Sequence, residues 1–192
     1  MSAPSPERTL AAFIAKFTAE RASQIRAARR ALRALLPGAT EFVYDNYNFF
    51  VIGYGPGERP SDAILSIAAQ AKGLALCFLQ GAKLPDPDHL LRGSGTTVRS
   101  LTIDSAATLA RPEVRSLVAT ALARARVPLD PAAKHRLVIR SVSAKQRPRR
   151  AEGAPGRAKA KAAAGTKKPP RVSARTRAAR PPARRPRRAT PG

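Results

Sequence analysis

The sequence predicts an α+β domain, with an antiparallel sheet covered by helices on one face, followed by a disordered basic tail. Three observations carry this expectation. Residues 6–36 and the stretch from Pro112 repeat apolar side chains at helical spacing. Between them lie short β-branched and aromatic runs separated by turn residues. Helices and strands are segregated and no strand–helix–strand crossover is evident, which favours hairpins. Beyond Ser143 the composition collapses into Ala, Lys, Arg, Pro and Gly, with eight prolines and no aromatic residue. Such a segment buries too little apolar surface to offset a chain entropy of roughly 1–2 kcal/mol per residue.

In the first helical stretch, Phe13 and Phe17 stand four residues apart, and Ile25, Ala28, Leu32, Leu35 and Leu36 continue the stripe. Thr18 is placed to cap a second piece, and Pro37-Gly38 stops it. Arg26, Arg29, Arg30 and Arg33 fall off the stripe and make one face basic. A solvated face is the favoured reading of that run, an extended polyanion surface the alternative. Residues 41–54 then predict two strands around an Asp45-Asn46 turn, with Gly55-Pro56-Gly57 as a loop. Ala63–Ala71 and Leu74–Leu79 form a second pair about Lys72-Gly73. Thr97–Asp104 reads as a further strand. Pro112-Glu113 opens the last helix, with proline at its first position and an acid at its positive end. Leu137–Val142 closes the domain as a short strand.

The charge divides unevenly. Of 192 residues, 36 are Lys or Arg and 12 Asp or Glu, a net of +24. Residues 1–140 carry 19 basic and 11 acidic residues, whereas 141–192 carry 17 basic residues and only Glu152. We therefore divide the chain into a domain, 1–143, and a tail, 144–192. The tail's cations are Lys145, Arg147, Arg149, Arg150, Arg157, Lys159, Lys161, Lys167, Lys168, Arg171, Arg175, Arg177, Arg180, Arg184, Arg185, Arg187 and Arg188. A polycation of this kind follows a phosphate backbone and releases counterions on binding. Without aromatics to stack on bases or a rigid helix to enter a groove, it offers no sequence readout. The expected partner is nucleic acid or another polyanion, bound through the tail, with an unidentified small molecule or protein for the domain. No apolar run of 18 residues exists and no secretory leader is visible, so a cytoplasmic location without membrane contact is expected, with nucleoid association as its variant.

Leu35-Leu-Pro-Gly-Ala-Thr-Glu41, followed by the aromatic hairpin, resembles the start of the YdhG-like family, a bacterial domain of unknown function. Residues 90–101, LLRGSGTTVRSL, look like that family's late loop and strand, and residues 138–150, VIRSVSAKQRPRR, are similar to a C-terminal phrase of some members. Many relatives carry Tyr-Gly-x-Pro where Tyr44-Asp45-Asn46-Tyr47 stands here. The resemblance implies a small α+β sandwich with helices on one face of an antiparallel sheet. Some members are likened to frataxin-type iron chaperones. The tail in turn resembles those of linker-histone-like bacterial proteins.

Six of the nine aromatics fall in residues 42–54. Phe42, Tyr44, Tyr47, Phe49 and Tyr54 are the candidates for a ligand pocket, although an Ala-rich protein with 39 alanines needs such rings for its core, and that reading is favoured. Strand alternation puts Phe42 and Tyr44 on one face. An iron-handling alternative, with the tail serving solubility, rests on the carboxylates Glu41, Asp45, Asp86 and Asp88, because hard cations take oxygen ligands. The domain's net charge of +8 opposes it. No cofactor is expected. The single cysteine, Cys77, sits in an apolar strand, Asp88-His89 is an adjacent pair on a loop, and Gly93-Ser94-Gly95 lacks the ending of a phosphate-binding loop. No catalytic constellation emerges, and a non-enzymatic binding module is the favoured function.

Overall fold

The structure, a computed structural model, describes residues 4–150. The remainder of the tail, expected to be disordered, lies outside the described residues. Helix α1 (Pro6–Ala15) starts at Ser5, whose hydroxyl accepts the Arg8 amide at 3.4 Å, and Pro6 fills the first turn. Helix α2 (Ala19–Leu35) starts at Thr18, whose hydroxyl accepts the Arg21 amide at 3.3 Å. The expected break into two helices and its cap both hold. The chain leaves α2 through Gly38 at φ +76°, where a β-carbon would stand 1.9 Å from the Asp130 carbonyl oxygen. Only glycine fits both the backbone angle and that approach.

Six strands follow: β1 (Thr40–Asp45), β2 (Phe50–Gly55), β3 (Leu65–Gln70), β4 (Gly73–Phe78), β5 (Arg99–Thr102) and, after helix α3 (Pro112–Ala123), β6 (Arg136–Val142). Their order across the sheet is β5-β4-β3-β2-β1-β6. The first five form an antiparallel meander, with tight turns joining β1 to β2 and β3 to β4 and a longer connection, residues 79–98, leading to β5. β6 runs parallel to β1, with a register shift between Val43 and Tyr44. The sheet is thus mixed, which corrects the expectation of a purely antiparallel one. Pattern alone gives a strand no direction, and here the chain passes through α3 from one edge of the sheet to the other before adding β6.

Register sorts the side chains into rows. Val43, Ile52, Ile67, Leu76 and Leu101 pair in sequence across five strands, and all belong to one buried cluster. Apolar residues of all three helices complete that cluster, so the helices lie on one face of the sheet, as expected. Phe50 anchors the contact with α1: its ring meets Phe13 at 6.4 Å and Phe17 at 5.9 Å, both edge-on. Each such pair adds about 0.5–1.5 kcal/mol beyond buried area. Among the described residues no helix is long and apolar enough to cross a membrane.

Candidate functional site

The row logic places two carboxylates on the core face. Glu41 and Asp45 flank Val43 at two-residue spacing and therefore share its side of the sheet. In the same rows the neighbouring strands carry Tyr54, Leu65 and Phe78 beside Glu41, and Phe50, Ala69 and Leu74 beside Asp45. Both carboxylate side chains are almost wholly out of solvent. Burial of an unpaired carboxylate is prohibitive, so each must be neutralised by a partner.

At the Glu41 end the partner comes from α2. Arg29 Nε lies 2.9 Å from Glu41 Oε1, and Arg29 Nη2 lies 2.6 Å from Oε2. The same guanidinium forks outward to Glu7 of α1, with contacts of 3.0 and 2.7 Å. His135, just before β6, places Nε2 3.0 Å from Glu41 Oε2. Burial pulls the Arg29 pKa down, but the hydrogen bonds and charges of Glu41 and Glu7 more than reverse this and hold it above its ordinary value. Beside this cluster Tyr54 is completely buried. Desolvation first, then the Glu41 charge, pushes its phenol well above the usual range, and among the described residues its hydroxyl has no hydrogen-bond partner.

At the Asp45 end the partners come from both ends of the domain. Lys16, at the end of α1, donates to Oδ2 at 2.5 Å, and Arg149 donates to Oδ1 at 2.9 Å. Arg149 also donates to the Asn46 and Asn48 carbonyls and lies over the Phe17 ring at 5.8 Å. Gln146 bonds the Asp45 carbonyl at 3.1 Å and accepts from Lys16 at 2.8 Å, while the Arg147 amide donates to the Tyr47 carbonyl. Residues 144–150, assigned to the tail from composition, are therefore bound to the β1–β2 turn. Their polar groups replace the apolar contacts whose absence suggested disorder.

This placement changes the inventory of free cations. Arg149, one of the seventeen tail cations, is buried and committed to Asp45. Lys145, Arg147 and Arg150 are exposed, with Arg147 lying over the Tyr47 ring at 5.6 Å. The thirteen from Arg157 to Arg188 lie outside the described residues. On α2, Arg29 turns to Glu41, which leaves Arg26, Arg30 and Arg33 exposed at helical spacing.

The four carboxylates of the iron reading do not converge. Glu41 and Asp45 are held by basic side chains at opposite ends of β1. Asp86 accepts the Leu90 and Leu91 amides at 2.9 and 2.8 Å, which folds its own loop, and Asp88 is exposed. Among the described residues no group of three His, Cys, Asp or Glu side chains is arranged to hold a metal ion. The candidate pocket rings separate as well. Tyr54 belongs to the helix-covered core, Phe42 is buried on the opposite face against Gly53 and Gly55, and Tyr44 is half-buried on that same face. Tyr47 and Phe49 stand exposed in the turn. These five residues therefore do not wall one cavity. Cys77 is half-buried, and burial raises its thiol pKa, which suppresses the reactive thiolate.

His135, Arg29 and Lys16 did not stand out in the sequence as partners of Glu41 and Asp45. The available signal was the period of two about Val43, which turns both acids toward the helices. Comparison with known proteins finds no matching family, no matching curated protein and no matching solved structure.

Proposed function

We propose that this protein binds nucleic acid without sequence preference, using a small α+β head as the anchor of a polycationic segment. The observation that carries this reading is the charge imbalance of the sequence beyond the described residues. Positions 151–192 hold thirteen Lys and Arg against Glu152 alone. Within the head, by contrast, carboxylates engage arginines and lysines: Glu7 and Glu41 with Arg29, Asp45 with Lys16 and Arg149, Glu113 with Arg111. The exposed Arg26, Arg30 and Arg33 support a secondary contact along α2. The YdhG-like resemblance supplies no reaction, and the head is accordingly read as a binding module.

The test compares the full chain with one ending at Arg150, on a labelled duplex of random sequence across a salt series. Ending at Arg150 preserves the Gln146 and Arg149 contacts, which a cut after Ser143 would remove. If about six to ten phosphates are neutralised, affinity of the full chain falls about 10³–10⁵-fold between 50 and 200 mM salt. The shorter chain should lose most of its affinity and nearly all of that slope. Equal affinity and equal slope in the two chains would overturn the proposal.

A further inference from the structure

A hollow of about 400 Å³ opens where the turn Pro60–Asp62, the end of β4 and the last turn of α3 meet. Its floor is apolar. Ile64, Phe78 and Ala121 are buried beneath it, and Leu84 is half-buried at its side. Its rim carries Lys83, Arg124 and Arg126 against one carboxylate, Asp62. Arg126 pairs with Asp62, and Arg124 spends one N–H on the Lys83 carbonyl. Among the described residues no carboxylate pairs with Lys83 or Arg124, so the rim holds two positive charges in excess.

We infer that this hollow binds a small amphipathic carboxylate, with its hydrocarbon body on Ile64, Leu84 and Ala125 and its head at Lys83 and Arg124. Three features select that class. The volume falls within the range of about 300–1,000 Å³ typical of small-molecule sites. An inorganic anion would leave the apolar lining at Ala63, Leu84 and Ala125 in water, and a neutral hydrocarbon would use none of the excess charge. A cationic amphiphile would meet three cations for one acid already engaged. The site does not depend on the proposed nucleic-acid contact, because a phosphodiester backbone brings no apolar body to fill the floor.

The full chain is titrated with octanoate, acetate and octylamine at constant ionic strength, and followed by calorimetry and thermal unfolding. A ligand of the folded state raises the unfolding temperature saturably. Octanoate should do so, whereas acetate and octylamine should not. Because acetate and octanoate carry the same charge, acetate controls for simple pairing with the polycation. The double variant Lys83→Gln/Arg124→Gln, altered only at exposed side chains, should raise the octanoate Kd at least tenfold. Ala125→Phe, which projects a ring into the hollow, should abolish binding. Octanoate should also shift the methyl resonances of Ile64 and Leu84 in the unmodified chain. The inference fails if octanoate gives no saturable response, if acetate matches it, if octylamine binds instead, or if the double variant keeps the original affinity.

Discussion

The two ends of β1 face the same physical problem and solve it with different parts of the chain. Glu41 and Asp45 are both buried carboxylates on the helix-covered face, two residues either side of Val43. Glu41 is neutralised by Arg29, twelve residues before it, with His135 as a second partner. Asp45 is neutralised by Lys16 together with Arg149, which lies 104 residues after it. The first arrangement locks a helix onto the sheet. The second fixes the segment that leads into the polycation. The comparison teaches that buried charge in this chain is used structurally as far as Arg149, inside a segment whose composition reads as tail.

Breaking the Glu41 end should have the largest effect. Arg29→Ala leaves a fully buried carboxylate with only His135, and removal of one partner from a buried pair costs about 3–5 kcal/mol. Urea unfolding should show a lower midpoint at an unchanged slope. The double variant Arg29→Met/Glu41→Leu should recover much of that loss, because it removes the unpaired charge as well as its partner. A cost below about 1 kcal/mol for Arg29→Ala would show that Glu41 does not rely on this contact.

Breaking the Asp45 end should cost less, because Lys16 remains. Arg149→Ala removes charge-assisted hydrogen bonds to Asp45 and to two carbonyls, worth about 2–3 kcal/mol. Its signature is regional. Amide exchange at Ser143 and Arg147, whose N–H groups donate to Asp45 and Tyr47, should accelerate while α2 keeps its protection. Unchanged exchange at those two amides would mean that the segment is held by something other than Arg149. Gln146→Ala, which removes two neutral hydrogen bonds to carbonyls and an exposed contact with Lys16, should cost about 1 kcal/mol.

The contrast between the two ends also explains what was legible in the sequence. Ser5, Thr18, Pro37-Gly38 and Pro112 act within one turn of where they stand, so helix limits follow from local chemistry. The hairpins follow for the same reason, because Phe50 is close enough in sequence to β1 to have few alternative partners. The parallel pairing of β6 depends on a path across the whole sheet, and no local residue encodes it. Glu41 and Asp45 illustrate a different limit. Alternation correctly puts Phe42 and Tyr44 on one face, and the same rule sends Glu41, Val43 and Asp45 to the other. Their acidity argued for exposure, although Arg29 on α2 and Lys16 at the end of α1 were there to meet them. Arg149 was hidden by its neighbours: in a run of Lys, Arg and Pro, nothing local separates this buried guanidinium from the exposed Lys145, Arg147 and Arg150.

The smallest effect should come from the outer arm of the Arg29 fork, and it carries a pH signature. Glu7 is more than half exposed, so its pair with Arg29 is worth about 0.2–1 kcal/mol, against several for Glu41. Hydrogen bonds from Arg29 hold the Glu7 carboxyl below its ordinary pKa, while partial burial works in the opposite direction. Because the folded value is the lower one, the stabilisation is complete above the unfolded value of about 4.3 and fades as pH falls through the folded value. Glu7→Gln should therefore be less stable than the unmodified chain at about pH 6, and the gap should close on acidification below about pH 4. Urea unfolding of both chains at several pH values reads that gap directly, since titrations common to the two cancel. A gap that stays constant or widens in acid would show that Glu7 contributes by packing rather than by its charge on Arg29.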